Sequence, residues 1–97
     1  MAQDVFVIGL GSNSCGKWLE AKTSPNARFA YRSWVLGFLT GVNWHTTGRQ
    51  ATVPDPEAAV AFVDRYCESN PLQVISLAAA ALVQEAGGPK AVHQWKK

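Results

Sequence analysis

The sequence carries little charge, and the charge that it does carry is almost balanced. Its 97 residues include 9 Lys and Arg and 7 Asp and Glu, a formal net charge of +2, and charged residues make up only 16% of the chain. A surface with so small an excess of positive charge offers no large basic footprint for nucleic acid. Hydrophobic residues make up 47%, and this excludes disorder, which needs low hydrophobicity together with high net charge. A chain of this length predicts one domain over residues 1–97.

No hydrophobic run is long enough to form a membrane helix, which needs about 20 apolar residues. The two windows without Asp, Glu, Lys or Arg, Ser33–Gly48 and Ser69–Gln84, are each 16 residues long and contain polar residues. The sequence therefore predicts no membrane span. It also lacks a signal peptide, but its first four residues, Met-Ala-Gln-Asp, are typical of an initiator Met placed before a mature N-terminus. We expect that a signal peptide has been removed.

Motifs for catalysis and metal binding are also missing. Two cysteines and two distant histidines, His45 and His93, lack the spacing of metal ligands. Neither histidine lies in a recognisable nucleophile motif. The Gly9-x-Gly11 pair lacks the third glycine of a dinucleotide-binding turn, since Ser14 stands there. The sequence predicts a protein that is not an enzyme, with no catalytic residue, metal or cofactor.

The two cysteines, Cys15 and Cys67, form either one disulfide bond or two buried thiols. They lie 52 positions apart, and closing a loop of that length stabilises a fold by about 4 kcal/mol in the loop-entropy model. Such a contribution matters in a small domain, which buries only about 60 to 70% of its unfolded surface. Spacing alone leaves both states open.

Apolar periodicity predicts an all-α fold, a small bundle of four short helices that follows an extended lead-in over residues 1–13. Each predicted helix has a capping residue before it, and three of the four starts include a proline. These start signals are Ser14, Ser24-Pro25, Asp55-Pro56 and Asn70-Pro71. The apolar series of the fourth helix begins at Leu72, and Gly87-Gly88-Pro89 ends it, leaving a tail over residues 89–97.

Five positions are predicted to pack the helices together. Trp18 and Trp34 lie at core spacing in the first and second helices, and Tyr66 lies on the buried face of the third. Gly37 and Gly41 lie four residues apart in the second helix, where each glycine costs about 1 kcal/mol relative to alanine. Two glycines at this spacing predict a closely packed neighbouring helix, either within the chain or in a dimer.

The longest irregular stretch, residues 43–54, holds the candidate functional residues. Connections of about 12 residues are uncommon in compact domains and are often functional. Trp44 and His45 lie side by side there, with Arg49 nearby, and Trp and Arg are enriched in binding hot spots. We expect these three residues to contribute to a partner-binding surface. The alternative, that Trp44 folds back over the edge of the bundle, is equally open.

Three segments carry a family resemblance: Ser14–Leu19 (SCGKWL), Tyr31–Gly41 (YRSWVLGFLTG) and Val63–Leu72 (VDRYCESNPL). In order and spacing they resemble the Rap/Tai type of type VI secretion immunity protein, and more distantly the acid-stress chaperones HdeA and HdeB. The resemblance covers roughly residues 11–85. It implies a secreted or periplasmic, HdeA-like helical domain in which Cys15 and Cys67 are bonded to each other.

The resemblance also sets two functional expectations. The first is a protein-binding module of the immunity type, which binds and neutralises a toxin effector. The alternative is an acid-activated holdase that binds client proteins, because protonation of the carboxylates at low pH would leave a strongly positive, self-repelling chain. A homodimer is a further expectation from the resemblance. Toxin-binding residues of the family do not carry over to positions of this sequence.

Overall fold

The computed structural model of the protein describes residues 5–90. Within that part of the chain, four α-helices follow one another: α1 Cys15–Glu20, α2 Pro25–Trp44, α3 Pro56–Ser69 and α4 Ile75–Glu85. Short 3-10 turns lie on either side of α1, at Leu10–Ser12 and Ala21–Thr23. Residues 5–90 contain no β-strand, and the predicted all-α bundle of four short helices is confirmed.

The two ends of the chain are described only in part. Of the predicted lead-in, residues 1–4 lie outside the described residues, and residues 5–8 have no regular secondary structure. Leu10–Ser12 is a 3-10 turn rather than extended chain, because Gly9, at a φ of 93°, redirects the backbone and its carbonyl accepts from Ser12 N. Of the predicted tail, residues 91–97, which include His93, lie outside the described residues. No helix within 5–90 is long and apolar enough to cross a membrane.

Two of the predicted caps are confirmed. Ser14 Oγ accepts a hydrogen bond from Lys17 N at 3.1 Å at the start of α1, and Asp55 Oδ1 accepts one from Ala58 N at 2.8 Å at the start of α3. Ser24 precedes α2 as predicted but forms no side-chain cap. Its backbone carbonyl accepts from Arg28 N instead, so the helix start there depends on Pro25 rather than on a serine hydroxyl.

The predicted start of the fourth helix is wrong. Asn70 ends α3, where its side-chain amide donates to Tyr66 O at 3.0 Å, and α4 begins only at Ile75. Leu72 is therefore outside the helix and 96% exposed, not buried. The backbone between the two helices pairs with the residues before α1: Cys15 N donates to Gln73 O at 2.7 Å, and Ile75 N donates to Asn13 O at 2.9 Å.

A disulfide bond joins Cys15 to Cys67, as the family resemblance implied. Both cysteines are fully buried. The bond connects the first residue of α1 to the last turn of α3, beside the backbone pairing with Gln73 and Ile75. The start of α1 is thus attached covalently to α3 and by hydrogen bonds to the segment that leads into α4.

The hydrophobic core lies around this bond. Trp18, Val35, Val63 and Ile75 contribute large side chains from α1, α2, α3 and α4 respectively, each no more than 1% exposed. Small residues let α4 approach its neighbours closely, and Ala78 and Ala79 are fully buried. Trp18 and Tyr66 pack as predicted: Trp18 lies in the core, and Tyr66 is half-buried against the core.

Trp34 packs against the hydrophobic core and against the N-terminal segment. Its side chain is partly buried against the core that the four helices form. Its indole Nε1 donates to Ile8 O at 2.9 Å, and its ring stacks on Phe38 with centroids 5.4 Å apart. Buried Gly11 lies directly against the indole, and a Cβ added at this glycine would overlap the ring. Besides its contact with the core, Trp34 therefore holds the residues before α1 onto α2.

The predicted close packing at Gly37 and Gly41 does not occur within residues 5–90. Both glycines are exposed, and a Cβ added at either position would meet no heavy atom of that part of the chain within 4 Å. The prediction fails because they face away from the helices that α2 packs against. Contact with a second copy remains an untested prediction.

An ion pair with an aromatic neighbour joins the first three helices, and we call it the Asp64 junction, formed by Trp18, Arg28 and Asp64. Both Nη atoms of Arg28 donate to the Asp64 carboxylate at 2.9 Å, and Trp18 Nε1 donates to Asp64 Oδ1 at 2.7 Å. The guanidinium also lies over the Trp18 ring, 5.2 Å from its centroid. Bidentate, charge-assisted bonds of this kind are among the stronger polar contacts in proteins.

Opposing effects set the pKa of Asp64. Burial of the carboxyl acts to raise its pKa, but the hydrogen bonds from Arg28 and Trp18 and the positive charges of Arg28 and Lys22 outweigh that effect. The pKa is held below its ordinary value of 3.8. The charged form of Asp64 therefore stabilises the folded state at all pH values above the ordinary carboxyl range.

The glycines provide a matched pair of substitutions. We expect Gly11→Ala to lower the free energy of unfolding by about 1–3 kcal/mol, because the new methyl group overlaps the Trp34 indole. Gly37→Ala places its methyl group in open space, and we expect it to raise the free energy of unfolding by up to about 1 kcal/mol. Urea denaturation measures both. A loss of stability in Gly37→Ala that depends on protein concentration would contradict the second expectation and indicate a dimer contact.

The Asp64 junction predicts an acid-dependent loss of stability. Since the folded pKa of Asp64 lies below its unfolded value, its contribution is present at neutral pH and is lost as the pH falls through the folded pKa. We expect Asp64→Asn to lower the free energy of unfolding at pH 7 by about 1–3 kcal/mol. The difference in free energy of unfolding between wild type and Asp64→Asn should become smaller in strong acid. Asp55→Asn is the control, because asparagine caps a helix as well as aspartate does. An equal difference in free energy of unfolding between wild type and Asp64→Asn at pH 7 and pH 2 would contradict the prediction.

Candidate functional site

The predicted functional stretch is the connection between α2 and α3, residues 45–55, which we call the α2–α3 loop. Helix α2 extends to Trp44, so the first predicted loop residues belong to its last turn. Asn43 closes the loop: its Nδ2 donates to Ala51 O, and its Oδ1 accepts from Ala51 N, both at 2.9 Å. This reciprocal pair fixes the position of residues 44–50 as a closed turn at the end of α2.

The far side of the loop is attached to the end of α4. Thr52 N donates to Ala86 O at 3.0 Å, and Arg49 Nε donates to Gly87 O at 3.3 Å. Buried Gly88 lies so close to the loop that an added Cβ would stand 3.1 Å from Ala51 N. The α2–α3 loop is therefore bonded to the ends of both α2 and α4, and this attachment fixes the positions of its exposed residues.

Helix α4 ends with the predicted glycine stop. Gly87 has a φ of 94°, the left-handed conformation that favours glycine. Gly88 N donates to Val83 O at 2.9 Å and Gly87 N donates to Gln84 O at 3.2 Å, the two bonds of a Schellman motif. This turn directs residues 88–90 towards the α2–α3 loop.

The three predicted partner-binding residues all lie at this end of the molecule. Trp44 is 82% exposed, which excludes the alternative that it folds back over the bundle. His45 and Arg49 are exposed as well. An exposed tryptophan on an anchored turn is the kind of side chain that provides a large contact area at a small entropic cost. The partner role of these residues remains a prediction.

An open pocket of about 540 Å³ lies between the loop and the end of α4, and we call it the loop-end pocket. Hydroxyl, glycine and cationic residues line it, and the lining contains no carboxylate. The residues are Thr46, Thr47, Gly48, Arg49, Gln84, Gly88, Pro89 and Lys90. Of the predicted site residues, only Arg49 lines the pocket, and His45 precedes its first lining residue.

Sequence reasoning missed two parts of this site. Asn43 falls in the predicted irregular stretch, where the sequence indicates no role for it, although it holds the loop closed. Lys90 falls in the predicted tail, although it lines the same pocket as Arg49. The run Gly87-Gly88-Pro89 signals a chain reversal, but it does not indicate which distant residue the chain then approaches.

A second, smaller pocket of about 330 Å³ lies between α2 and α3. Its charged residues are already matched within the chain: Arg28 pairs with Asp64, and Arg32 lies 3.6 Å from Glu57. No group of three or more His, Cys, Asp or Glu side chains that could hold a metal ion occurs among residues 5–90.

Comparisons with known proteins give no match. No family model, no curated protein and no solved structure matches the chain. The resemblance to immunity proteins therefore depends on the segments quoted above.

The closed loop yields a local prediction. We expect Asn43→Ala to lower the free energy of unfolding by about 1–2 kcal/mol, because it removes both hydrogen bonds to Ala51. Hydrogen exchange followed by NMR would show a loss of protection at the Ala51 amide, while the Val63 amide in α3 stays protected. Asn26→Ala, at an exposed position in the first turn of the same helix, is the control. Unchanged protection at Ala51 would contradict the assignment of Asn43 as the closing residue.

Proposed function

We propose that this protein is a secreted or periplasmic, non-enzymatic binding module of the immunity type, which neutralises a toxin by binding it through the end of the molecule that carries Trp44. The observation that carries the proposal is the exposure of Trp44, at 82%, beside a loop closed by Asn43. Burial of an exposed indole against a partner removes a large apolar area from water, which favours binding. A side chain of this size on a fixed turn is suited to one specific partner.

The anchored scaffold supports the same proposal. Specific inhibitors bind tightly when the binding loop is already ordered, since little conformational entropy is lost on association. The disulfide bond and the two attachments of the α2–α3 loop supply such order here. The disulfide also supports a secreted or periplasmic location, where such bonds persist.

The acid-activated holdase is the second candidate, and the Asp64 junction is the observation that favours it. Protonation of Asp64 would weaken contacts that join α1, α2 and α3, while the Cys15–Cys67 bond would keep the opened chain from expanding fully. A holdase of this kind would bind many clients, and only in strong acid.

The test starts from capture of partners by the tagged, oxidised protein from extracts of the source organism at pH 7 and pH 3. We expect one stoichiometric partner at pH 7, whose toxicity in the periplasm of a test bacterium is neutralised by this protein. Trp44→Ala should weaken the purified complex by about 30-fold or more, the effect of a hot-spot residue. Phe29→Ala is the matched control, because Phe29 is 66% exposed on the same helix, 15 residues away.

Two results would contradict the proposal. Many substoichiometric partners at pH 3 and none at pH 7 would support the holdase instead. A stoichiometric partner whose affinity is unchanged in a folded Trp44→Ala variant would exclude the Trp44 surface as the binding site.

A further inference from the structure

We infer that the loop-end pocket is a receptor for a carboxylate-bearing segment of the protein partner, with Arg49 and Lys90 as the charges that recognise it. The inference rests on the proposed function, since it names the chemistry of the partner at the same end of the molecule. It adds a site residue, Lys90, from outside the predicted partner-binding set.

Three cations among residues 5–90, Arg49, Arg65 and Lys90, lie outside the ion pairs of this part of the chain, and two of them share one pocket. Within residues 5–90, Lys17, Lys22, Arg28 and Arg32 each lie within ion-pair distance of a carboxylate. Arg49 and Lys90 are not in any of these pairs, yet they line one pocket whose lining contains no Asp or Glu. Glu85, the acidic residue nearest to Lys90 in sequence, is exposed and does not line the pocket. Two positive charges that line one pocket without a carboxylate create a positive local potential, which attracts an anion.

The end of a helix is an unfavourable place for an anion, because its last carbonyl groups carry a partial negative charge. At the end of α4, Gly88 N and Gly87 N donate to Val83 O and Gln84 O, and Thr52 N donates to Ala86 O just beyond the helix. At the end of α2, Gln50 Nε2 donates to Asn43 O at 3.1 Å. These internal donors offset part of the negative charge, and the two side-chain cations make the pocket positive.

The geometry of Arg49 suits a carboxylate. Its Nε donates to Gly87 O at 3.3 Å, which orients the guanidinium, and neither Nη group donates a hydrogen bond within residues 5–90. The paired Nη atoms of an arginine match the two oxygens of a carboxylate, whereas lysine acts as a point charge. Thr47 and Gly48 line the same pocket and add a hydroxyl group and a backbone without a side chain.

The size and charge of the site favour an acidic protein segment over nucleic acid. A nucleic-acid site needs a row of cations that follows the phosphate backbone, together with aromatic residues for stacking. The loop-end pocket has two cations in about 540 Å³, enough for one or two carboxylate side chains. Trp44, two residues before the first lining residue, would supply the apolar contact beside them.

The direct test uses a hexaglutamate peptide as the probe, with hexaglutamine and a six-residue oligo-dT as comparison ligands. We expect hexaglutamate to shift the backbone amide resonances of Thr47, Gly48 and Gly88, with an affinity that falls as salt is added. Arg49→Gln and Lys90→Gln should each weaken binding by about three- to fivefold. Arg49→Lys should restore part of the loss at the first position, because it keeps the charge but not the paired donors.

Arg65→Gln is the matched control, since Arg65 is exposed on α3, is in none of the ion pairs among residues 5–90 and does not line the pocket. An equal loss of affinity in Arg65→Gln would overturn the inference, because it would indicate net charge rather than a site. Tighter binding of oligo-dT than of hexaglutamate would overturn it as well. So would the absence of shifts with hexaglutamate, and Arg49 and Lys90 would then be only counter-charges for the two helix ends.

The outcomes for the partner separate this inference from the proposed function. A partner that is lost in Trp44→Ala but indifferent to Arg49→Gln and Lys90→Gln would leave the proposed function standing and overturn the inference. Binding of hexaglutamate in the pocket without any stoichiometric partner at pH 7 would support the carboxylate site and overturn the immunity-type function.

Discussion

The covalent bond between Cys15 and Cys67 is the constraint on which the rest of the fold depends. Helix α1 has only six residues, far fewer than the roughly 12 that an isolated helix needs to be even marginally stable in water. It exists because its first residue is bonded to α3, its backbone pairs with Gln73, and Trp18 is buried against Asp64. Cross-linking across 52 residues contributes about 4 kcal/mol in the loop-entropy model, a large part of the net stability of a small domain.

The two ends of the molecule differ in how their charged and apolar side chains are paired. Around the disulfide and the Asp64 junction, charges are matched inside the chain, and Lys22, Arg28 and Arg32 have acidic neighbours on α3. At the other end, Asn43 and the Schellman turn of α4 fix the backbone. Trp44 is exposed there, and the two cations of the loop-end pocket are in none of the ion pairs formed among residues 5–90. Function is commonly carried by loops held on a rigid scaffold in this way.

Whether a feature could be predicted from the sequence depends on how far apart in sequence its interacting residues lie. The side chains of Ser14 and Asp55 accept hydrogen bonds from backbone N–H groups three residues later. Such caps involve neighbouring residues only, so the local sequence is sufficient to predict them. The Asn70-Pro71 signal follows the same rule, and the end of α3 at Asn70 is confirmed. The helix start predicted there is wrong, because backbone pairing between residues 13–15 and 73–75, distant in sequence, occupies the segment after it. The opposite outcomes at Gly11 and Gly37 depend on what faces each glycine, and Lys90 lines the same pocket as Arg49 because the chain turns at Gly87. Neither can be read from periodicity.

The two candidate functions place opposite demands on these contacts, and the pKa of Asp64 determines the pH range in which each demand is met. An immunity-type protein must keep its binding loop ordered at neutral pH, whereas a holdase must open. The pKa of Asp64 is lowered, not raised, so its ion pair with Arg28 persists through neutral and mildly acidic conditions and yields only below the ordinary carboxyl range. A trigger for opening at moderate acidity would require the reverse, a carboxyl whose pKa is raised in the folded state. The Asp64 junction therefore joins α1, α2 and α3 over most of the pH range, as a protein that binds its partner while folded requires, and it is lost only in strong acid, where the holdase would act.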